Sequence, residues 1–191
     1  GNDHAQLGDG TTTNRSTPTQ ILPSGVAQIA AGGGHSLILK TDGSLHAFGR
    51  NIWGQLGDGT TIYRSSPTQI LSSGVAQIVA GGTHSLILKT DGSLHTFGNN
   101  SSGQLGDGTT TDRHTPTQIL SYGVAQISTG MGHSLILKTD GSLYAFGWNG
   151  QGQLGDGTTT DRHTLTQILP TGGTIAINSP VGNADQHADL S

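Results

Sequence analysis

The chain has 191 residues, of which 31% are hydrophobic and 10% charged, with 32 glycines, no glutamate and a formal net charge of −4. The absence of cysteine excludes disulfides and thiolate chemistry. Eight scattered basic residues make no basic stripe, which argues against direct binding of nucleic acid. No apolar run nears the roughly 18–20 residues needed for a helix to span a bilayer.

Two blocks recur with a fixed spacing of 49 residues. Gln-Leu-Gly-Asp-Gly-Thr-Thr starts at Gln6, Gln55, Gln104 and Gln153. A longer stretch, Gly-x-x-His-Ser-Leu-Ile-Leu-Lys-Thr-Asp-Gly-Ser-Leu and on to Phe-Gly, covers 32–49, 81–98 and 130–147. A period of this length means one supersecondary unit copied in tandem. The repeats are 1–48, 49–97, 98–146 and a partial 147–178, followed by an irregular polar tail at 179–191. The first opens in mid-repeat, and the only methionine is Met131, so a processed protein or a piece of a longer one is expected.

Within repeat one, Thr19–Leu22 follows a proline and predicts a short edge strand, where the missing donor is tolerated. Val26–Ala30 predicts a second strand and His35–Lys40 a third. Leu37-Ile38-Leu39 is apolar on both faces and should be sandwiched between sheets. Asp42-Gly43, like Asp91-Gly92 and Asp140-Gly141, predicts a two-residue type I′ hairpin into Leu45–Phe48. In repeat four Leu165 replaces the proline, and Thr174–Ile177 would form the last strand. No segment keeps a 3.6-residue apolar period for three turns, so helix is not expected.

Four short antiparallel strands per 49-residue repeat indicate all-β architecture with the blades of a β-propeller. The Gly-x-x-His-Ser-x-x-Leu strand, the Asp-Gly hairpin, Phe-Gly-x-Asn and Gly-Gln-Leu-Gly together resemble the regulator-of-chromosome-condensation repeat family over about 1–169. The resemblance implies a propeller, closed by seven blades in the family. The hairpin exit here carries Phe48, Phe97 and Phe146 where the family more often has Trp. With three to four blades the array is a partial propeller that needs a second copy or further repeats to close. If each outer strand comes from the following repeat, three blades are complete and a strand is left over at each end.

His35, His84 and His133 occupy equivalent places, too far apart for a shared metal, and are expected to be structural imidazoles bonded to nearby backbone. Asp9, Asp58, Asp107 and Asp156 lack the alternating ligands of a calcium loop and should cap turns. No cofactor or metal is implied. The copies differ most in two loops. One holds Arg50, Ile52, Trp53 and Trp148; the other holds Tyr63-Arg64, Arg113-His114 and Arg162-His163. Trp, Tyr and Arg are common binding anchors, so these ten residues are the candidate partner-binding set. The alternative for Trp53 and Trp148 is packing between blades.

The residues therefore favour a non-catalytic protein-binding or scaffolding module. The resemblance implies a rival, because the family's namesake is a guanine-nucleotide exchange factor for a small GTPase. That activity relies in the family on a hairpin wedge, which these 49-residue repeats are too lean to hold, and on a basic tail, to which no Lys/Arg-rich arm of this sequence corresponds. A third reading is a self-assembling structural protein. A surface rich in Thr, Ser, Asn and Gly suits a secreted or cell-surface protein and also a cytosolic one, with the lean to the former.

Overall fold

The computed structural model describes residues 1–169. The expected strand at 174–177 and the tail at 179–191 lie outside the described residues. Twelve strands form three four-stranded antiparallel sheets, each in sequence order. Blade 1 comprises β1 (Val26–Ala31), β2 (His35–Lys40), β3 (Leu45–Gly49) and β4 (Arg64–Leu71). Blade 2 comprises β5 (Val75–Ala80), β6 (His84–Lys89), β7 (Leu94–Gly98) and β8 (Arg113–Leu120). Blade 3 comprises β9 (Val124–Thr129), β10 (His133–Lys138), β11 (Leu143–Gly147) and β12 (Arg162–Leu169). Each outer strand is supplied by the following repeat. Pro67 and Pro116 lie within β4 and β8, on the outer edge, where a missing N–H breaks no ladder.

The expected strand at Thr19–Leu22 does not form. Its counterparts in β4, β8 and β12 pair with β3, β7 and β11, and here no such neighbour stands beside it. The same four residue types are thus strand or coil according to whether a ladder is offered, which is tertiary context overriding propensity.

The hairpins between the two central strands also differ from expectation. Gly43, Gly92 and Gly141 have φ of 80°, 81° and 82°, but the aspartates before them have no positive φ. The Gly43 N–H donates to the Lys40 carbonyl (2.9 Å), and the Lys40 N–H to the Ser44 carbonyl (3.0 Å). This is a type I turn closed by a glycine bulge, a three-residue loop rather than type I′. The aspartate decides it: Asp42 Oδ1 accepts from the Ser44 N–H (2.9 Å) and the Ser44 hydroxyl (2.6 Å), holding its own backbone in the right-handed region.

The core lies between blades. Leu37, Leu39 and Leu45 of blade 1 pack on Val75, Ile78 and Ile87 of blade 2. Leu86, Leu88 and Leu94 repeat the arrangement on Val124, Ile127 and Ile136 of blade 3. Polar contacts cross the same seams. Gln28 exchanges two hydrogen bonds of 3.1 Å with the backbone of Ile78, satisfying groups on the inner edge of blade 2. Near the inner turns the backbones almost touch: a Cβ on Gly33 would stand 2.6 Å from the Gly82 carbonyl oxygen.

His35 and His84 bond not to nearby backbone but across the seam. His35 Nε2 meets Ser85 Oγ at 2.9 Å, and His84 Nε2 meets Ser134 Oγ at 2.9 Å. Each serine hydroxyl gives its one proton to a backbone carbonyl, Gln55 or Gln104. The histidine must therefore donate, which fixes the Nε2–H tautomer and leaves Nδ1 bare. Burial lowers the pKa of His35 to about 4 and that of His84 to about 3.

Two outcomes follow. Gly92→Val places a branched side chain at φ 81° and should destabilise the chain by about 1–3 kcal/mol, read by denaturant titration. The second concerns acid. The folded-state values of His35 and His84 lie below the ordinary 6.5, so the unfolded chain binds more protons as the pH falls from about 6.5 towards 4. The melting temperature should drop through that window, and His84→Asn should reduce the slope.

Candidate functional site

Antiparallel blades place alternate connections at opposite ends. One end carries the Asp-Gly hairpins and the short links such as Ser121–Gly123. The other carries the turns 32–34, 81–83 and 130–132 and the long loops that follow β3, β7 and β11. All ten candidate residues lie at this second end, in those loops or in the first two positions of β4, β8 and β12.

The loops are built around the asparagine of the Phe-Gly-x-Asn motif, to which the sequence analysis gave no structural role. Asn2, Asn51, Asn100 and Asn149 are wholly buried. Asn51 Nδ2 donates to Asp58 Oδ1 (3.0 Å) and to the carbonyls of Thr60 (3.0 Å) and Ile62 (3.1 Å), while its Oδ1 accepts from the Leu56 N–H (2.9 Å). Its 49-residue recurrence inside otherwise variable loops was the available signal. Asp58 caps the turn as expected, accepting the Thr60 N–H at 3.0 Å. Its other oxygen pairs with Arg64 at 2.6 Å. Asp9 and Asp156 do the same. Hydrogen bonds from Thr11 and Arg15 hold the Asp9 carboxyl at a pKa of about 2, and those from Thr158 and Arg162 outweigh burial to bring Asp156 to about 2.

This network gives Arg64, Arg113 and Arg162 a structural task, since each guanidinium is paired with the aspartate of its own loop. His114 and His163 are exposed, packed beside Gly54 and Gly103 of the preceding loop. Tyr63 is exposed and meets His4 edge-on, with ring centroids 5.7 Å apart. Ile52 is exposed. The Arg50 guanidinium lies over the half-buried Trp53 ring at 4.6 Å, a stacked cation–π contact. Trp148 is 40% exposed over Gly132, so neither tryptophan is sealed between blades.

The long loops and inner turns border an open hollow of about 550 Å³. Of the candidates it gathers Arg50 and Trp148, adding Thr83, Ser101, Ser102 and Met131. Trp53 stands behind Arg50 rather than in the lining, and Ile52, Tyr63, His114 and His163 lie outside it. Met131 is 78% exposed and takes the place held by Gly33 and Gly82 in the other copies. That departure was visible in the sequence as a difference between copies. The hollow offers a cation, an indole, a thioether and hydroxyls, which is equipment for recognition. Among the described residues no group of three or more His, Cys, Asp or Glu side chains gathers to hold a metal.

Comparison with known proteins agrees with this architecture. The regulator of chromosome condensation (RCC1) repeat matches residues 1–39, 42–88, 91–137 and 140–175, and a second description of the same repeat matches 26–55, 75–104 and 124–153. Among solved structures the chain is similar to Prp20p from Saccharomyces cerevisiae, at 25% identity and a TM-score of 0.69 over 77% of this chain and 39% of that one. It is also similar to yeast RCC1 (Prp20) in its complex with Kap60, at 25% identity and a TM-score of 0.69 over 77% and 37%. Human WBSCR16 shares the fold at 22% identity and a TM-score of 0.57, over 89% of this chain and 61% of that one. A search of curated proteins gave no match. Matched by the repeat almost from end to end and built of its blades, the chain belongs to the regulator of chromosome condensation (RCC1) repeat family.

Proposed function

We propose that the chain is a non-catalytic protein-binding module that engages its partner through the loop end of the blades. The hollow carries this reading. Copies that are otherwise nearly identical diverge where Arg50, Ser101, Ser102, Met131 and Trp148 come together. Side chains that hold a blade together have reason to repeat with it, and these do not. The solved relatives lend support, since the Prp20p structure is described with binding to Gsp1p and histones and the other is bound to Kap60. The chain spans about two fifths of those relatives' length, so their partners are not carried over one by one.

The family's namesake supplies the second reading, nucleotide exchange on a small GTPase. The long loops at this end are internally bonded through Asn51, Asn100 and Asn149, and no hairpin projects from them among the described residues. The binding reading therefore stands first. A secreted or cell-surface setting remains our proposal for its location.

The test is capture by the immobilised chain, with bound proteins identified by mass spectrometry. Arg50→Ala with Trp148→Ala should remove the specific partner, whereas Tyr122→Ala, exposed at the opposite end, should retain it. Melting curves separate this from a packing role. A buried tryptophan would cost about 3–5 kcal/mol on truncation, whereas the half-exposed Trp148 should cost far less. In a second assay the chain should not accelerate nucleotide release from a loaded small GTPase; acceleration above background would favour the exchange reading.

A further inference from the structure

The long loop of the second repeat, residues 50–63, is filled differently from its three counterparts. Ile52 stands where the others have Asp3, Ser101 and Gly150, and Ile62 where they have Thr13, Thr111 and Thr160. Tyr63 replaces Asn14, Asp112 and Asp161. All three replacements are exposed, Ile62 by 62%. His4 and Gly34 bridge this apolar stretch to Arg50. The His4 ring meets Tyr63 edge-on, and a Cβ on Gly34 would stand 3.4 Å from His4 and 3.3 Å from Arg50.

These residues displace hydrogen bonds that the scaffold makes elsewhere. Asp112 Oδ1 accepts the Asn100 N–H at 2.8 Å, Asp161 Oδ1 that of Asn149 at 2.7 Å, and Asn14 Oδ1 that of Asn2. Tyr63 has no carboxylate or amide to offer Asn51 in the same way. At the position of Arg50, Asn99 Oδ1 accepts from Gln104 Nε2 at 2.5 Å. Arginine brings only donors. The wholly buried Gln55 therefore keeps an Nε2 without an acceptor, and Arg50 Nε has none either. An unpaired buried donor is costly, and copy three shows the residues that would satisfy both places. The loop has given up internal bonds for an exposed apolar and cationic surface.

Charge points the same way. Arg15, Arg64, Arg113 and Arg162 are each paired with an aspartate, and the lysines stand at the hairpin end of the blades. Among the described residues Arg50 is the one arginine without a carboxylate partner, and no aspartate lines the hollow that it borders. Its guanidinium is held in place by the stack on Trp53.

We infer that this loop is the anchor of the binding end, and that it takes from a protein partner a segment in which a carboxylate is flanked by apolar side chains. The carboxylate pairs with Arg50 and brings acceptors to a loop with an excess of donors. Its apolar neighbours lie on Ile52, Ile62 and Tyr63. The inference rests on the protein-binding reading above and narrows it to one loop and one chemistry.

Arg50→Asn combined with Tyr63→Asp gives this loop the residues of copy three and restores both hydrogen bonds, so the variant should melt above the wild type. A random peptide library displayed on phage, selected against the immobilised wild-type chain, should yield binders that share an Asp or Glu beside apolar residues. A synthetic peptide of the selected sequence should lose affinity about tenfold or more when that acid is changed to its amide, and as much against the loop variant. Higher stability together with lost binding is an outcome that a packing role does not produce. A variant that melts below the wild type shows that Arg50 and Tyr63 hold the loop, and overturns the proposal. So do a library without binders, binders with no shared acid, or binders lost on Trp148→Ala but kept by the loop variant. The broader reading is judged separately, by whether the wild-type chain captures a partner that Arg50→Ala with Trp148→Ala loses.

Discussion

Everything in this molecule depends on the seam between neighbouring blades. A single four-stranded sheet of about two dozen residues has two apolar faces and cannot bury either by itself. Leu37 and Leu39 are covered in a cluster with Val75, Ile78 and Ile87, and Leu86 and Leu88 in one with Val124, Ile127 and Ile136. The apolar stack is indifferent to small slips. The polar contacts are not, and they set the offset between blades: Gln28 on the Ile78 backbone, His35 on Ser85, and Ser85 on the Gln55 carbonyl. A buried group left without its partner is costly, which makes this chain of bonds a device for register as well as stability.

Much of the fold was legible because the seam imposes a period. The 49-residue spacing, the doubly apolar Leu-Ile-Leu strands and the Asp-Gly turns each reported a local requirement of one blade. What was missed depended on neighbours. Thr19–Leu22 reads as strand and is not one, because strand formation needs a ladder that the sequence of the segment does not encode. The hairpin was assigned to the wrong class because Asp-Gly suits two turn types, and the choice was made by Ser44 binding back to Asp42. The histidine's partner lies 50 residues away in the next blade, beyond any local pattern.

The site divides along the same line. The end of the blades at which it lies followed from strand alternation once the strands were placed. Which candidates meet there did not. Arg64, Arg113 and Arg162 looked like free anchors, but their aspartates, six residues earlier, hold them in the loop scaffold. Met131 and the serines at 101 and 102 were not among the candidates, which were chosen as Trp, Tyr and Arg anchors with their neighbours, yet they line the hollow with Trp148. In a chain of near-identical copies the shared residues report the scaffold and the departures report the surface. The buried asparagines lie in both classes, a constant residue inside a changing loop, and they allow the loop to vary without losing its shape.

The claim that the polar seam holds neighbouring blades in register is tested most directly by a double-mutant cycle across it. His35→Ala, Ser85→Ala and the pair would be measured by denaturant unfolding of the intact chain. The account predicts that the two losses are not additive, with a coupling of about 1–3 kcal/mol, because Ser85→Ala alone leaves the buried His35 Nε2–H without its acceptor, a cost that vanishes once His35 is also truncated. Losses that add within about 0.3 kcal/mol would show that the contact is incidental to the stack and contradict the account.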